Sequence, residues 1–254
     1  MIFGDAPCPK GALRVTFDAW IAKAGPASAM PRLPERDYCS LAGVLAAALA
    51  LSELFLAFAS ISIEATRRTV ALSLWRPDLD IIDPLALGIP VEYLPCELWV
   101  MGLGHLGNAY LWSLTSLPYP KPDEVEFVLC DFDKVEPENV ETGIIFTADD
   151  ERRLKTRAAC GWLGRRDFQT RFVERRFDAS FRRHDKEPGL ALCGFDSNPA
   201  RRDLGTAQFV RVVESGLGGT ASNFDTISLH ALPNPRTPRR AVARSQRGRR
   251  KEAS

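Results

Sequence analysis

The sequence contains no CxxC pair and no close cluster of cysteine and histidine, because its six cysteines stand singly and it has only three histidines. Tetrahedral zinc sites commonly use ligand pairs a few residues apart, so we expect no structural zinc. Walker A, HExxH and G-x-S-x-G sequences are absent as well. Their absence removes P-loop NTPases, zincin proteases and α/β-hydrolases from the candidate classes.

The N-terminus lacks a basic region followed by an apolar core and a small-residue cleavage site, so the sequence does not indicate secretion. Single cysteines without a disulfide framework fit a reducing compartment, and we expect a cytoplasmic protein. Residues 236–254 hold eight basic residues and one acidic residue, a charge of +7, whereas the preceding 235 residues carry −6. This mildly acidic body gives no reason to expect a specific nucleic-acid partner.

One long apolar segment, residues 40–63, is interrupted by a single charge at Glu53. A helix that is apolar on all faces either spans a membrane or packs inside a protein. Glu53 would cost a few kcal/mol in a bilayer, and the alanine and serine content makes the segment weakly hydrophobic. We therefore expect no membrane association but a helix that starts near Ser40, ends after Arg68 and packs against a neighbouring domain or a second protomer.

The composition divides the chain into three regions. Residues 1–95 are expected to form an N-terminal helical region and a proline-rich linker, with residues 1–36 loosely ordered. Residues 96–235 alternate short apolar runs with helical ones, which predicts an α/β, Rossmann-like domain with a mainly parallel sheet and flanking helices. Residues 236–254 combine low hydrophobicity with strong positive charge, which predicts a disordered basic tail.

Six strands and three helices are predicted within the second region. The helix at 149–163 is expected to be capped by Thr147 together with Asp150. The predicted strands are residues 98–102, 126–131, 170–175, 190–195, 210–214 and 226–231, and the predicted helices are residues 105–117, 149–163 and 199–207.

The first predicted strand runs directly into a G-x-G-x-x-G turn made by Gly102, Gly104 and Gly107. Glycines at this spacing permit a tight turn and a close approach of phosphate to backbone N–H groups at a helix N-terminus. The alternative is a packing turn that binds nothing. Asp131 ends the second strand twenty-four residues after Gly107, where a Rossmann domain places a ribose-binding carboxylate, and this spacing alone would favour NAD.

The segments that follow favour a different nucleotide. They are Asp131-Phe-Asp133-Lys-Val-Glu-Pro-Glu-Asn139, Lys155 on the next predicted helix, and Asp196-Ser-Asn-Pro-Ala-Arg201. In order and spacing these segments, together with the glycine turn, resemble the ThiF/MoeB superfamily of ubiquitin-activating-enzyme-like adenylyltransferases. The resemblance covers about residues 96–235.

The resemblance implies an enzyme that uses ATP and Mg²⁺ to adenylate the C-terminal carboxylate of a small ubiquitin-like or sulfur-carrier protein, and that forms a homodimer. This reaction needs a cation, a lysine and backbone N–H groups to neutralise phosphate charge, but no general base, because the attacking carboxylate is already ionised. The implied residues are Gly102, Gly104 and Gly107 at the phosphates, Asp131 at the ribose, Asp133 in the same nucleotide-binding segment, Asn139 and Lys155 approaching the phosphates, and Asp196 as the magnesium ligand; Lys155, Asp196 and Asn139 are the expected catalytic residues.

Two departures from the family pattern bear on activity. The family commonly continues as N-x-x-R-Q after the second strand, and here Thr142 stands at the arginine position. The family's CxxC zinc pair and a downstream thioester cysteine are also missing, because the resemblance stops where the basic tail begins. A truncated C-terminus and a natural ending would both produce this break.

Two other functions stay open beside ATP-dependent adenylation. The glycine turn and Asp131 would also suit an NAD(P)-dependent oxidoreductase, although no convincing proton donor for hydride chemistry is present. Thr142 and the abrupt tail would suit a non-catalytic nucleotide-binding remnant of the same fold. Asp196 discriminates between adenylation and the oxidoreductase, because a dehydrogenase has no use for a magnesium ligand.

Overall fold

The computed structural model of the chain describes residues 1–3, 6, 9, 11–195, 198–217 and 227–232. The chain divides into two compact units, Met1–Leu94 with Ser116–Pro118, and Pro95–Thr115 with Tyr119–Ser254. The predicted basic tail and Asp196 lie outside the described residues.

The first unit is a four-stranded sheet packed against one helix. Its strands pair in the order β1-β2-β3-β4, with β1 and β2 parallel and the other neighbours antiparallel. The helix α1 contacts β2, β3 and β4. The elements are β1 (Ile2–Phe3), β2 (Leu13–Asp18), β3 (Ile21–Pro26), α1 (Leu41–Phe58) and β4 (Val70–Ser73).

The prediction that residues 1–36 are loosely ordered is wrong, because β2 and β3 lie within them. Leu13 and Val15 are buried and alternate with polar residues along β2, and Thr16 and Asp18 on the opposite face are buried as well. The strand β3 contains alanine, glycine and proline, which have low strand propensity. Its pairing with β2 on one side and β4 on the other holds it in the sheet, so tertiary contacts override local propensity here.

The helix α1 ends at Phe58, ten residues before the predicted end at Arg68. Ser60 has a φ of +55°, in the left-handed region, which stops a right-handed helix. The face of α1 that is buried carries small side chains, which lets the helix approach the sheet closely. The buried residues of α1 are Ala42, Ala46, Ala50 and Glu53.

Large apolar side chains occupy the other face of α1. Leu51, Phe55 and Phe58 are each more than half exposed. By length and composition α1 could cross a membrane, although core helices of globular proteins pass the same test. Glu53 lies on the buried face and is only 2% exposed, so the one charge of the helix faces its own unit.

The second unit contains a six-stranded sheet with the strand order β10-β9-β8-β5-β6-β7. All neighbours are parallel except β9 and β10. Counted from the start of this unit, the order is 3-2-1-4-5-6, the Rossmann arrangement. The elements are β5 (Glu97–Met101), α2 (His105–Thr115), β6 (Glu126–Cys130), α3 (Pro137–Thr142), α4 (Lys155–Gly164), β7 (Gln169–Val173), β8 (Leu190–Cys193), α5 (Asn198–Asp203), β9 (Arg211–Leu217) and β10 (Ile227–Leu232).

The predicted mixed α/β fold with a mainly parallel sheet is confirmed, and each of the six predicted strands overlaps one of β5–β10. The helix predicted at 149–163 begins only at Lys155, because Thr147 and Asp150 close a separate short 3-10 turn with each other. The short helix α3 was not predicted. It has only six residues, Pro137–Thr142, which are too few turns for a hydrophobic period to be visible in the sequence.

The order of the strands reverses between β5 and β8, which pair side by side although they are far apart in sequence. Ligands of open α/β sheets bind at such a point, outside the carboxyl ends of the strands. Trp99 on β5 anchors the core below this point and packs edge-on against Phe181 and Phe209. The fold therefore predicts a ligand site at the loops that follow β5, β6 and β8.

Candidate functional site

A cavity of about 590 Å³ lies at the carboxyl ends of these strands. Its volume falls within the range of small-molecule binding sites. The lining combines backbone of the glycine turn, acidic and basic side chains, and aromatic rings. The lining residues are Gly102, Gly104, His105, Leu106, Cys130, Asp131, Phe132, Asp133, Lys155, Arg175, Arg176, Phe177, Gly194, Phe195, Ala200 and Arg201.

The three glycines of the turn have different roles. Gly102 has a φ of +79°, a conformation that glycine adopts without strain. A Cβ on Gly107 would lie 2.0 Å from the carbonyl oxygen of Gly102, so only glycine lets the helix start this close to the strand. A Cβ on Gly104 would meet no atom within 4 Å. Gly102 and Gly107 shape the turn, whereas Gly104 borders open cavity.

Asp131 ties the glycine turn to the loop after β6. Its Oδ2 accepts a hydrogen bond from the backbone N–H of Leu103 at 2.6 Å, and its Oδ1 accepts one from the N–H of Asp133 at 2.8 Å. Burial raises the pKa of this carboxyl group, and the two hydrogen bonds and the charge of Lys155 partly oppose that increase. Asp131 thus holds backbone in place, and its ribose contact stays a prediction.

Lys155 and Asp133 face each other in the cavity. Lys155 is the first residue of α4 and is only 8% exposed, and its N–H donates to the carbonyl of Asp133 at 2.9 Å. Its Nζ lies 3.6 Å from Oδ2 of Asp133, whose side chain is half exposed. A largely buried ammonium and an accessible carboxylate are therefore available to one ligand.

Three of the eight predicted site residues, Asn139, Gly107 and Asp196, are not among the lining residues that the structure describes. Asn139 is absent from the lining, and its Oδ1 accepts the N–H of Glu136 to close the first turn of α3. Asp196 lies outside the described residues, directly after Phe195 in sequence. Gly107 shapes the turn without lining the cavity, so the predicted residues that do line it are Gly102, Gly104, Asp131, Asp133 and Lys155.

The cavity lining also contains aromatic and basic side chains, which the sequence motifs did not indicate. The guanidinium of Arg176 lies 4.5 Å from the centre of the Phe132 ring. Phe177 and Phe195 stack with ring centres 5.0 Å apart. A guanidinium over an aromatic ring makes a cation–π contact, and both of these planar groups can stack against another planar π system. The only sequence signal was the Arg-Arg-Phe run after β7, which matches no motif.

Arg201 fixes the end of the loop after β8. Its Nε and one terminal nitrogen donate to the carbonyl of Phe195 at 3.0 and 2.8 Å. The same guanidinium pairs with the buried carboxylate of Glu214 at 2.9 Å, and His230 Nδ1 contacts the other oxygen of Glu214 at 2.7 Å. Arg201 thereby holds the backbone immediately before Asp196.

Burial disfavours the reactive thiolate form of Cys130 and Cys193. Burial raises the pKa of the Cys130 thiol to about 12, and burial also raises the pKa of Cys193. A thiol rather than a thiolate is then present at neutral pH, and the thiolate is the reactive form. Both cysteines are buried packing residues of their strands.

Solved structures resemble part of the chain. E. coli MccB with ATP shares 17% identity over 48% of this chain and 37% of that one, with a TM-score of 0.39. MccB solved without a named ligand gives 18% identity, 48% and 35% coverage, and a TM-score of 0.38. PaaA gives 15% identity, 47% and 40% coverage, and a TM-score of 0.37. Likeness at this level assigns no substrate and no residue role.

The sequence comparisons are more specific. The "Bacterial E1-like protein BilD" of Collimonas sp. (strain OK412) is 41% identical over 226 residues, which are 89% of this chain and 49% of that protein. The chain thus spans about half the length of the curated relative it matches. The family model described as BilD N-terminal domain matches residues 1–74, and the one described as BilD C-terminal domain matches residues 94–254. Because these two models account for most of its length, the chain belongs to the BilD family.

Proposed function

We propose that the chain binds ATP in the cavity of its second unit and adenylates the C-terminal carboxylate of a small ubiquitin-like or sulfur-carrier protein. The observation that carries the proposal is the meeting of the glycine turn, Lys155 and Asp133 at the point where the strand order reverses. The 41% identical relative is named E1-like, which favours this chemistry. The cytoplasmic location and the homodimer expected from the sequence remain part of the proposal.

Different parts of the cavity lining suit the phosphates and the base of ATP. The phosphates belong beside the glycine turn, where the N-terminus of α2 and the Lys155 ammonium offer positive potential. The base belongs beside Phe132 and Arg176, which present a flat surface. Asp133 is half exposed, and it is the better candidate for the ribose hydroxyls than Asp131, whose two oxygens already accept backbone hydrogen bonds.

The chain's own groups would act on charge and position. Lys155 would neutralise phosphate charge as pyrophosphate leaves, in a site where burial strengthens the interaction. Arg201 would hold the loop that leads to Asp196. The nucleophile is a carboxylate, so no residue needs to remove a proton from it.

Magnesium fits the donors present only as an ion shared with the nucleotide. Within the described ranges no group of three or more histidine, cysteine or acidic side chains could hold a metal. Mg²⁺ is commonly bound by one or two carboxylates together with substrate phosphates and water. Asp196 would supply such a carboxylate, and the ion would contribute neutralisation of phosphate charge.

The oxidoreductase alternative is weakened by the hydrogen bond between Leu103 and Asp131. In NAD-binding domains the glycine-turn backbone approaches the pyrophosphate and the acidic residue binds ribose. Here the N–H of Leu103 and the carboxylate of Asp131 are used by each other. The non-catalytic alternative is favoured by Thr142 at the family's arginine position, and it predicts nucleotide binding without carrier-dependent pyrophosphate exchange.

Thermal unfolding with different nucleotides tests the proposal without knowledge of the carrier. A ligand that binds only the native state at one hundred times its Kd stabilises it by about 2.7 kcal/mol. We expect ATP with Mg²⁺ to raise the Tm and NAD or NADP to leave it unchanged. Asp196→Ala should weaken the magnesium-dependent part of the shift, whereas Asp123→Ala, an exposed carboxylate outside the cavity, should not. A shift with NAD alone would favour the oxidoreductase.

A further inference from the structure

His105 occupies a position in the cavity for which the proposed function gives no role. It follows Gly104, is the first residue of α2 and lines the cavity, and its side chain is exposed. The phosphate end of the proposed ATP site is therefore bordered by an imidazole. Histidine is the side chain that changes charge between pH 5 and 8.

The hydrogen bonds of Thr142 decide which ring nitrogen of His105 carries a proton. Thr142 is the last residue of α3, and its hydroxyl donates to the carbonyl of Glu138, the residue one turn earlier. A hydroxyl has one proton, so the Thr142 oxygen can only accept from Nε2 of His105, which it contacts. Nε2 must then be protonated.

The protonation of Nδ1, the other ring nitrogen, follows from the proton on Nε2. When the ring is neutral, the single ring proton is on Nε2, and Nδ1 presents a lone pair that repels a phosphate oxygen. When the ring is protonated, Nδ1 also carries a proton and can donate a charge-assisted hydrogen bond. Nδ1 has no hydrogen-bond partner within the part of the chain that the structure describes. Thr142 thus makes the donor capacity of His105 depend on its charge.

Several charged groups line the same cavity as this ring or lie on the helix that it contacts. The arginines of the cavity stay charged over the pH range in which histidine titrates. The helix that carries Thr142 also bears two carboxylates, Glu138 and Glu141. The charged residues that line the cavity with His105 are Asp131, Asp133, Lys155, Arg175, Arg176 and Arg201.

We propose that His105 is a phosphate-binding residue that contacts the nucleotide through Nδ1 only when its ring is protonated, and that Thr142 is the positioning residue that fixes the other proton on Nε2. Nucleotide binding by this cavity is then coupled to proton uptake. The inference rests on the proposed function, because it requires that the cavity binds a nucleotide.

The test is isothermal titration calorimetry with ATP in excess Mg²⁺, from pH 5.5 to 8.5, on the full chain. For the unsubstituted protein the Kd should rise between pH 6 and pH 8, by no more than the roughly tenfold per pH unit that a single ionisation allows. Titrations in two buffers of different ionisation enthalpy should show uptake of a proton near neutral pH. Adenosine, which has no phosphate, should bind without this dependence.

Two substitutions of His105 separate charge from shape. His105→Gln keeps a donor for Thr142 but cannot become charged, so its Kd should be flat with pH and match the weak high-pH value. His105→Arg carries a permanent charge, so its Kd should be flat and match the tight low-pH value. Because ATP is the same in every titration, its own ionisation cancels from the comparison.

Two substitutions of Thr142 test the positioning role. Thr142→Val removes the acceptor with little change in shape, which frees the neutral ring to carry its proton on Nδ1 and should reduce the pH dependence. Thr142→Ser retains the hydroxyl and should preserve it. Circular dichroism at each pH establishes that the variants are folded, and the Thr142 pair provides the test if His105→Gln does not fold.

Different results would overturn different claims. If the unsubstituted chain binds ATP but His105→Gln shows the same pH profile, the inference is wrong while the ATP site stands. If Thr142→Val and Thr142→Ser both keep the full pH dependence, the positioning role of Thr142 is wrong. If the unsubstituted chain binds no ATP at any pH, the proposed function itself fails.

Discussion

Asp131 is the residue on which the geometry of the cavity depends most directly. Its two oxygens accept backbone hydrogen bonds from both sides of the cavity, from Leu103 and from Asp133. Asp131→Asn would place an amide N–H against one of these donors, and leaving a buried donor unpaired costs about 1–3 kcal/mol. Urea unfolding should show a loss of that size. Asp123→Asn, at an exposed side chain outside the cavity, should stay within about 0.5 kcal/mol; equal losses would contradict the role assigned to Asp131.

The same carboxyl group makes stability depend on pH. Because burial raises the pKa of Asp131, the folded state keeps its proton at pH values where the unfolded state has lost it. The free energy of unfolding should therefore fall as the pH rises from the ordinary carboxyl range through the raised pKa. Unfolding of the unsubstituted chain and of Asp131→Asn from pH 3.5 to 6.5 should show a difference that shrinks with rising pH. A growing difference would contradict the raised pKa.

Sequence reasoning found the site residues that belong to a motif and missed those that do not. Gly102, Gly104 and Lys155 could be found because their spacing matches a pattern, and all three line the cavity. The contact of His105 with Thr142 joins residues 37 positions apart. No local periodicity marks such a contact, because it depends on how the turn and α3 come together in the fold.

The turn between β5 and α2 contains one glycine that packing requires, Gly107, and one that borders the cavity, Gly104. A Cβ on Gly107 would clash with the Gly102 carbonyl, whereas a Cβ on Gly104 would enter open cavity. Gly107→Ala should lower the free energy of unfolding by about 1–3 kcal/mol, as overpacking does, and weaken ATP binding. Gly104→Ala should leave stability within about 0.5 kcal/mol and still weaken ATP binding. Thermal unfolding and ATP titration of both variants check this; normal ATP binding by Gly104→Ala would place the phosphates elsewhere.

The helix α1 depends on an ion pair that links it to the segment before β4. Glu53 is buried, pairs with Arg68 at 2.7 Å and accepts the backbone N–H of Thr66 at 3.0 Å. Glu53→Ala leaves the Arg68 charge without its partner and should cost about 3 kcal/mol in urea unfolding. Glu64→Ala is the control, because Glu64 is exposed and 4.0 Å from the same arginine, and it should cost less than about 0.5 kcal/mol. Similar losses in both variants would contradict the claim that the buried Glu53–Arg68 pair stabilises the unit more than the exposed Glu64 does.

The elements of the second unit were more predictable than those of the first. Its strands are short apolar runs between turn residues, which is the local signature of buried parallel strands. In the first unit Leu13, Val15 and Phe17 do alternate with polar residues along β2, so that strand was within reach. The strand β3 was not, because it consists of residues with low strand propensity and is held by its neighbours.

At the scale of the whole molecule, the sequence predicted strands but not their order. Alternation of strands and helices implies a parallel sheet, yet the reversal between β5 and β8 arises from how the crossovers pack. That reversal places the loops after β5 and β8 beside each other and makes the cavity. The N-terminal region was expected to be a helix and a linker, and the structure instead shows a four-stranded sheet with a helix against it. The family models match across both units.

The central claim is that the cavity of the second unit binds ATP through Lys155. The most direct measurement is a calorimetric titration of the unsubstituted chain, Lys155→Ala and Lys121→Ala with ATP and Mg²⁺ at pH 6.5. Lys121 is the control, because it is exposed, pairs with Glu124 and does not line the cavity. We predict one site per chain, a Kd at least about tenfold weaker for Lys155→Ala because a buried charge-assisted contact is lost, and an unchanged Kd for Lys121→Ala. Absence of binding, or equal binding by all three proteins, would contradict the account.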